Sequence, residues 1–297
     1  MRKRLCLAAV LLGFAVSAAV PAQESDAEKA REHDQMLDRI VAAEAPYRND
    51  AWRAAKIAQS PRRHELVKIP GVNGTLEGFV VYPDTRDNVP VVLMIPEDQG
   101  LNDWARDTAD QIAAMGYIVV VPDLLSGLGP SGGGRSTFRD LRSVFAAFST
   151  LPAKEPMLTA ELNAWADYGK MRTQSNGKLA VAGFAWGGGR AWWFAAQRKD
   201  LSAALVFYDA APPADALADV TAPVYGFYAM MDPRVTKSLS ATLAAMASAG
   251  KKFEPVIYPG SEHMFVRLGE EPGNTNPANI EARTRSLSRV QEILKCM

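Results

Sequence analysis

The chain has 297 residues, and its 33 lysines and arginines are balanced by 33 aspartates and glutamates. A formally neutral chain offers no electrostatic footprint for nucleic acid, which argues against that partner class. Three scattered histidines and two cysteines do not make a metal-ligand set, so no metal or other cofactor is expected.

Taken in chain order, residues 1–22 read as an export signal: the basic start MRKR, an apolar stretch over 5–20, and a small-residue cleavage site at Val20-Pro21-Ala22. The apolar stretch is too short for a comfortable membrane span. The expectation is an exported protein, periplasmic or extracellular, with no membrane association after cleavage. Only Cys296 then remains, so no intrachain disulfide forms. Residues 23–59 are polar, with Met36, Ile40 and Val41 at helical spacing. They predict one or two leading helices, whose default role is packing on their own domain rather than docking a partner.

Residues 60–297 are expected to form a single α/β domain. HELVKIP (64–70) and TLEGFVVYP (75–83) predict paired edge strands. The short apolar runs VVLMI (91–95), YIVVV (117–121), LAVAGF (179–184), ALVFYD (204–209), VYGFYA (224–229) and FEPVIY (253–258) follow, most of them separated by helical stretches. That alternation predicts a mainly parallel sheet covered on both faces, the α/β-hydrolase class among its forms.

Three glycine-rich patterns compete for attention. Gly127–Gly132 matches a dinucleotide fingerprint, and Gly129-Pro130-Ser131-Gly132-Gly133 matches a nucleophile elbow. Neither has a strand running straight into it, so both reduce to a mobile surface loop. The stretch VAGFAWGGGRAWW (181–193) passes that test, with a strand before it and a helix after it. Gly183 and Gly187 flank a central residue in the frame of the sharp turn that presents a nucleophile. The central residue is Ala185, which has no nucleophilic atom. A plain strand–helix turn remains an alternative on this stretch alone.

The later strands weigh against that alternative. In α/β-hydrolases an acid and then a base follow the elbow, each from a loop after a later strand. Asp232 follows VYGFYA and His263 follows FEPVIY, and the other histidines, His33 and His64, precede the elbow. The backbone N–H groups of Asp98 and Trp186 are the expected oxyanion donors. Glu97 is by default a surface carboxylate, placed at the mouth of the cleft.

Together, residues 95–127, KLAVAGFAWGGG (178–189), FYAMMDPRV (227–235) and YPGSEHMF (258–265) resemble the dienelactone hydrolase (carboxymethylenebutenolidase) family over most of residues 60–295. The resemblance implies an α/β-hydrolase fold and hydrolysis of lactones or related esters by a Cys-His-Asp triad. It places Asp232 and His263 as acid and base, and Glu97 as the glutamate paired with the resting cysteine. The departure is Ala185 at the cysteine's position. Arg135 is a candidate for the substrate carboxylate, against the plainer reading of an exposed loop arginine. Trp104, Trp186 and Tyr208 would suit a flat or aromatic ligand unless they are core. Two functions stay open: a monomeric binding protein for an ester, lactone or aromatic acid, or a hydrolase that uses His263-activated water or another nucleophile such as Ser131.

Overall fold

A computed structural model describes residues 26–44, 51–72, 74–84 and 88–297. The expected export signal, residues 1–22, lies outside them. Two helices, α1 (Asp26–Glu44) and α2 (Ala51–Ala58), precede the sheet. Its strands are β1 (Arg63–Gly71), β2 (Gly74–Tyr82), β3 (Val89–Ile95), β4 (Ile118–Pro122), β5 (Ser175–Phe184), β6 (Leu201–Phe207), β7 (Val224–Ala229) and β8 (Phe253–Tyr258). Between and after them run α3 (Asp103–Ala113), α4 (Leu141–Phe148), α5 (Glu155–Lys170), α6 (Trp186–Gln197), α7 (Ala214–Leu217), α8 (Pro233–Thr236), α9 (Leu239–Ser248), α10 (Phe265–Leu268) and α11 (Pro277–Lys295).

The eight strands are ordered β1-β2-β4-β3-β5-β6-β7-β8. β1 with β2 and β2 with β4 are antiparallel; every pairing from β4 to β8 is parallel. The first two strands were expected as a pair of edges, but only β1 is an edge. β2 pairs Gly78–Val81 with β4, so residues 79–82 are apolar without a break and buried.

The central strands show why continuous apolar runs belong here. In β3 the side chains of Val91, Leu93 and Ile95 join one core and those of Val92 and Met94 the other, all without solvent exposure. Alternate side chains leave opposite faces of a strand, so only a doubly covered sheet buries all five. Each contributes ~1.5–3 kcal/mol from burial. Leu158, Leu162 and Trp165 of α5 and Ala191 and Trp192 of α6 complete the first core. Trp104 and Ile112 of α3, with Val290 and Leu294 of α11, complete the second.

Caps set the helix starts. Asn102 accepts the Ala105 N–H, Asp140 accepts the Ser143 N–H, and Asn276 accepts the Ala278 N–H ahead of Pro277. These are the side-chain acceptors that relieve unpaired N–H groups in a first turn.

One charged side chain is placed against its solvation. Burial pushes the Glu161 carboxyl of α5 up to about 6, with the Lys154 charge opposing. It lines a cavity of about 450 Å³ with Lys154, Met157 and Leu76. The neutral form is therefore favoured in the fold, and ionisation costs stability as pH rises between the unfolded and folded values. Glu161→Gln is expected to raise Tm at pH 8 by less than about 4 °C, since the group is partly solvated, and to leave it unchanged near pH 4. Thermal melts at the two pH values check the sign.

Candidate active site

β5 ends at Phe184, and α6 begins two residues later. Between them Ala185 takes φ 46° and ψ −121°, a backbone region that disfavours any Cβ. Its N–H donates to the Phe207 carbonyl of β6 at 3.1 Å, which ties the bend to the next strand. The turn can be this sharp because its flanks carry no side chains. A Cβ on Gly183 would stand 2.0 Å from the Gly187 carbonyl oxygen, and one on Gly187 would stand 2.3 Å from that of Ile95. The backbone is thus a strained strand–helix bend with glycine flanks. Ala185 itself is 8 % exposed, and its methyl group offers no nucleophile.

Asp232 and His263 sit in the loops after β7 and β8. The His263 Nδ1–H donates to Asp232 Oδ2 at 2.8 Å. Burial pushes the Asp232 carboxyl up, but the hydrogen bond and charge of His263 outweigh it, together with Arg234, and hold it below the usual carboxylate range. With Nδ1 engaged, Nε2 of a neutral imidazole is the face that takes a proton. The His263 side chain keeps 34 % of its surface exposed, so the ring is open to solvent.

Tyr208 joins these parts. It follows β6 with φ 42°, is fully buried, and packs edge-on against His263 with ring centroids 5.2 Å apart. It also lies against Phe184, the residue before the bend. Its hydroxyl donates to Glu97 Oε1 at 3.2 Å. Burial first, then the Glu97 carboxylate, raises the phenol well above its ordinary value, so it stays a donor. Four non-glycine residues of the described chain have positive φ, and three of them, Ala185, Tyr208 and Met264 beside His263, cluster here. Strain concentrated this way marks a place where side-chain direction matters more than backbone comfort.

Several expectations need correction. Glu97 is not a surface carboxylate: it is 2 % exposed, and Oε2 faces Arg267 Nη1 at 3.8 Å. Tyr208 and Trp104 do not line a ligand cleft. Both are packed into the core, and Trp104 stands edge-on to Phe184. Trp186 is partly exposed, with Phe148 edge-on to it. Arg135 is not an open loop arginine: its Nε–H donates to the Gln99 carbonyl at 2.7 Å, which sets it against the loop of Glu97 and Asp98. The glycine-rich loop is pinned, not loose, because Asp123 accepts the Arg135 N–H and Gly129 N–H donates to the Gly133 carbonyl. Ser131 is exposed within it, and Gly132 lines the Glu161 cavity, which includes none of Asp232, His263 or Ala185.

Three charged residues of this neighbourhood went unnoticed in the sequence. Asp209, directly after Tyr208, accepts the Gly189 N–H at 3.2 Å, and burial raises its carboxyl. Arg234 reaches Asp232 Oδ2 at 3.3 Å and Asp209 Oδ1 at 3.5 Å. Arg267, in α10 four residues after His263, is buried. No local pattern marked Arg267 or its partner Glu97, since the pairings of Glu97 with Arg267 and with Tyr208 join residues far apart in the chain.

The start of α6 meets the end of β3 closely. Gly187 sits against the carbonyls of Ile95 and Pro96, which brings the start of α6, with its Trp186 N–H, beside the Glu97–Asp98 loop. The first N–H groups of a helix lack intrahelical acceptors, so they can serve negative charge here. Among the described residues there is no group of three histidine, cysteine or acidic side chains able to hold a metal ion.

The sequence profile of the dienelactone hydrolase family matches residues 76–297. The chain belongs to the dienelactone hydrolase family. It is 27 % identical over 235 residues to a candidate carboxymethylenebutenolidase of Escherichia coli (strain K12), covering 70 % of this chain and 84 % of that one. It is 28 % identical over 214 residues to the Salmonella typhi counterpart, covering 67 % and 77 %. In fold it is similar to a candidate dienelactone hydrolase from Klebsiella pneumoniae, with TM-score 0.67 at 21 % identity over 79 % of this chain and 98 % of that one. The dienelactone hydrolase of Anabaena variabilis gives TM-score 0.55 at 20 % identity, over 76 % and 96 %.

Within this dienelactone hydrolase-family chain, the strain at residue 185 gives a direct prediction. Glycine adopts φ 46° freely, whereas alanine there costs on the order of 1–3 kcal/mol. Ala185→Gly regains that strain and loses ~0.5–1 kcal/mol to the greater freedom of the unfolded chain. A net stabilisation near 1 kcal/mol is expected in urea unfolding. A loss of stability would show the bend to be relaxed.

Proposed function

We propose that this chain binds a small ester, lactone or carboxylic acid, aromatic acids included, at the bend around Ala185 without covalent turnover. The observation that carries the reading is an alanine held in a strained, glycine-flanked strand–helix bend, joined through Tyr208 to a histidine oriented by an aspartate. The roles follow residue by residue. Ala185 occupies the nucleophile position, and His263 and Asp232 those of base and acid. The N–H groups of Trp186 and Asp98 face a ligand carbonyl, and Glu97 lies beneath. Arg135, braced on the Gln99 carbonyl, stands close enough to that loop to favour an anionic ligand. Export through residues 1–22 to the periplasm or beyond is part of the same proposal, supported by the order of basic, apolar and small residues there. A monomer is the proposed state.

Calorimetry with a panel of lactones and aromatic acids tests binding. Saturable heat with at least one member is expected, weakened by His263→Ala; no heat with any of them would sink the reading.

The Asp232–His263 hydrogen bond at 2.8 Å supports a second reading, in which the imidazole activates water against a labile ester. A chromogenic ester assay separates the two. A rate that falls in His263→Ala favours water activation, and equal rates leave binding alone.

A further inference from the structure

The extension before the family-matched residues carries a side chain that polar surface helices rarely bury. Arg53, in α2, is wholly shielded from solvent. Its Nη1–H donates to Glu271 Oε1 at 2.9 Å. The same Glu271 oxygen lies 3.8 Å from Arg267 Nε, and Arg267 Nη1 lies 3.8 Å from Glu97 Oε2. Glu97 in turn holds the Tyr208 hydroxyl, whose ring packs on His263. Four charges of alternating sign thus run from α2 to the aromatic ring beside the imidazole. Arg53, Arg267 and Glu97 are each no more than 2 % exposed, so water screens them weakly.

The neighbouring charges are occupied elsewhere. Lys56 of α2 bonds Asp107 at 3.0 Å and Glu270 at 2.7 Å, and Arg283 of α11 lies 3.1 Å from Glu270. Arg53 Nη2 is 3.9 Å from Glu270, well beyond its bond to Glu271. Glu270 is thereby balanced by Lys56 and Arg283, while Glu271 is shared between Arg53 and Arg267. The extension has a separate anchor as well: Ser60, Arg62 and His64 all bond Asp110 of α3.

We infer that Arg53 is a positioning residue for the site: by sharing Glu271 with Arg267 it fixes the place and charge balance of Glu97. The leading helix is then a working part of the site. This rests on the reading above that the bend at residue 185, Glu97 and His263 form one site.

The thiol introduced by Ala185→Cys in the full-length chain reports on that charge balance without any catalysis. Its alkylation by iodoacetamide is followed from about pH 5 to about pH 10 by peptide mass spectrometry, with the exposed Cys296 as internal reference. Adding Arg53→Met removes a buried positive charge and leaves Glu271 and Glu97 competing for Arg267. The thiol midpoint is expected to rise by about half a pH unit or more. Arg53→Lys keeps the charge and most of the parental midpoint. Glu271→Gln lowers the midpoint. Arg62→Gln loosens the same extension at its Asp110 anchor; it is expected to lower Tm and leave the midpoint where it was.

No shift with Arg53→Met, or an equal shift with Arg62→Gln, overturns the inference while the site reading stands. If Arg53→Met does not fold, Glu271→Gln decides, and an unmoved midpoint overturns it. A midpoint in Ala185→Cys alone equal to that of Cys296 removes the site reading, and the inference falls with it.

Discussion

Ala185→Cys is expected to raise turnover of activated esters and lactones by roughly 10²–10⁴-fold over the parent chain, part of the ~10⁶ that removal of a nucleophile costs. The surrounding parts favour this outcome. The backbone already holds residue 185 in the geometry of a sharp strand–helix bend, with φ 46°. His263, bonded through Nδ1 to Asp232, presents Nε2 as proton acceptor, and a thiol beside an imidazole and a helix N-terminus ionises more readily than a free one. The rate should depend on pH through the thiol–imidazole pair. His263→Ala in the same background should return it to the parental level. Stopped or steady-state assays with a chromogenic ester, alongside circular dichroism to confirm folding, settle the matter. A folded variant that reacts no faster than the parent would show that the remaining groups do not converge on residue 185.

Gly187→Ala is expected to cost at least about 3 kcal/mol, because the added methyl would meet main chain, which cannot step aside as a side chain can. The methyl would lie 2.3 Å from the Ile95 carbonyl oxygen and 2.4 Å from that of Pro96. Relief requires moving α6 away from the end of β3, which opens the bend and the two cores beside it. Gly273→Ala is the matched control: a Cβ there meets nothing within 4 Å, and the change should stay within about 0.5 kcal/mol. Urea unfolding of the two variants makes the comparison. A similar small effect for both would mean that strand and helix do not meet as closely as the glycine positions require.

The sheet was legible in the sequence because a strand buried on both faces leaves an unbroken apolar run, and β3 through β7 each did so. The antiparallel pair was harder. β2 hides its interior position behind polar residues at Thr75 and Glu77 before the apolar residues that meet β4. The order of bend, aspartate and histidine was also legible, since each lies in the loop or turn after a strand. The charges around them were not. Arg53 and Glu271 are 218 positions apart, and no local periodicity announces a partner at that distance. The default surface reading of Glu97 failed for the same reason: Tyr208, after β6, and Arg267, in α10, reach it from far along the chain, and only the family resemblance had placed it in the site. Trp104 and Tyr208 were offered to a ligand, but bulky rings beside a glycine-rich turn more often fill the volume the glycines leave, and they do so here.

The glycines at 183 and 187 hold the bend whatever side chain residue 185 bears, so architecture and reactivity are set by different letters of this sequence. One codon at this corner can therefore change while the path of the backbone around it stays the same.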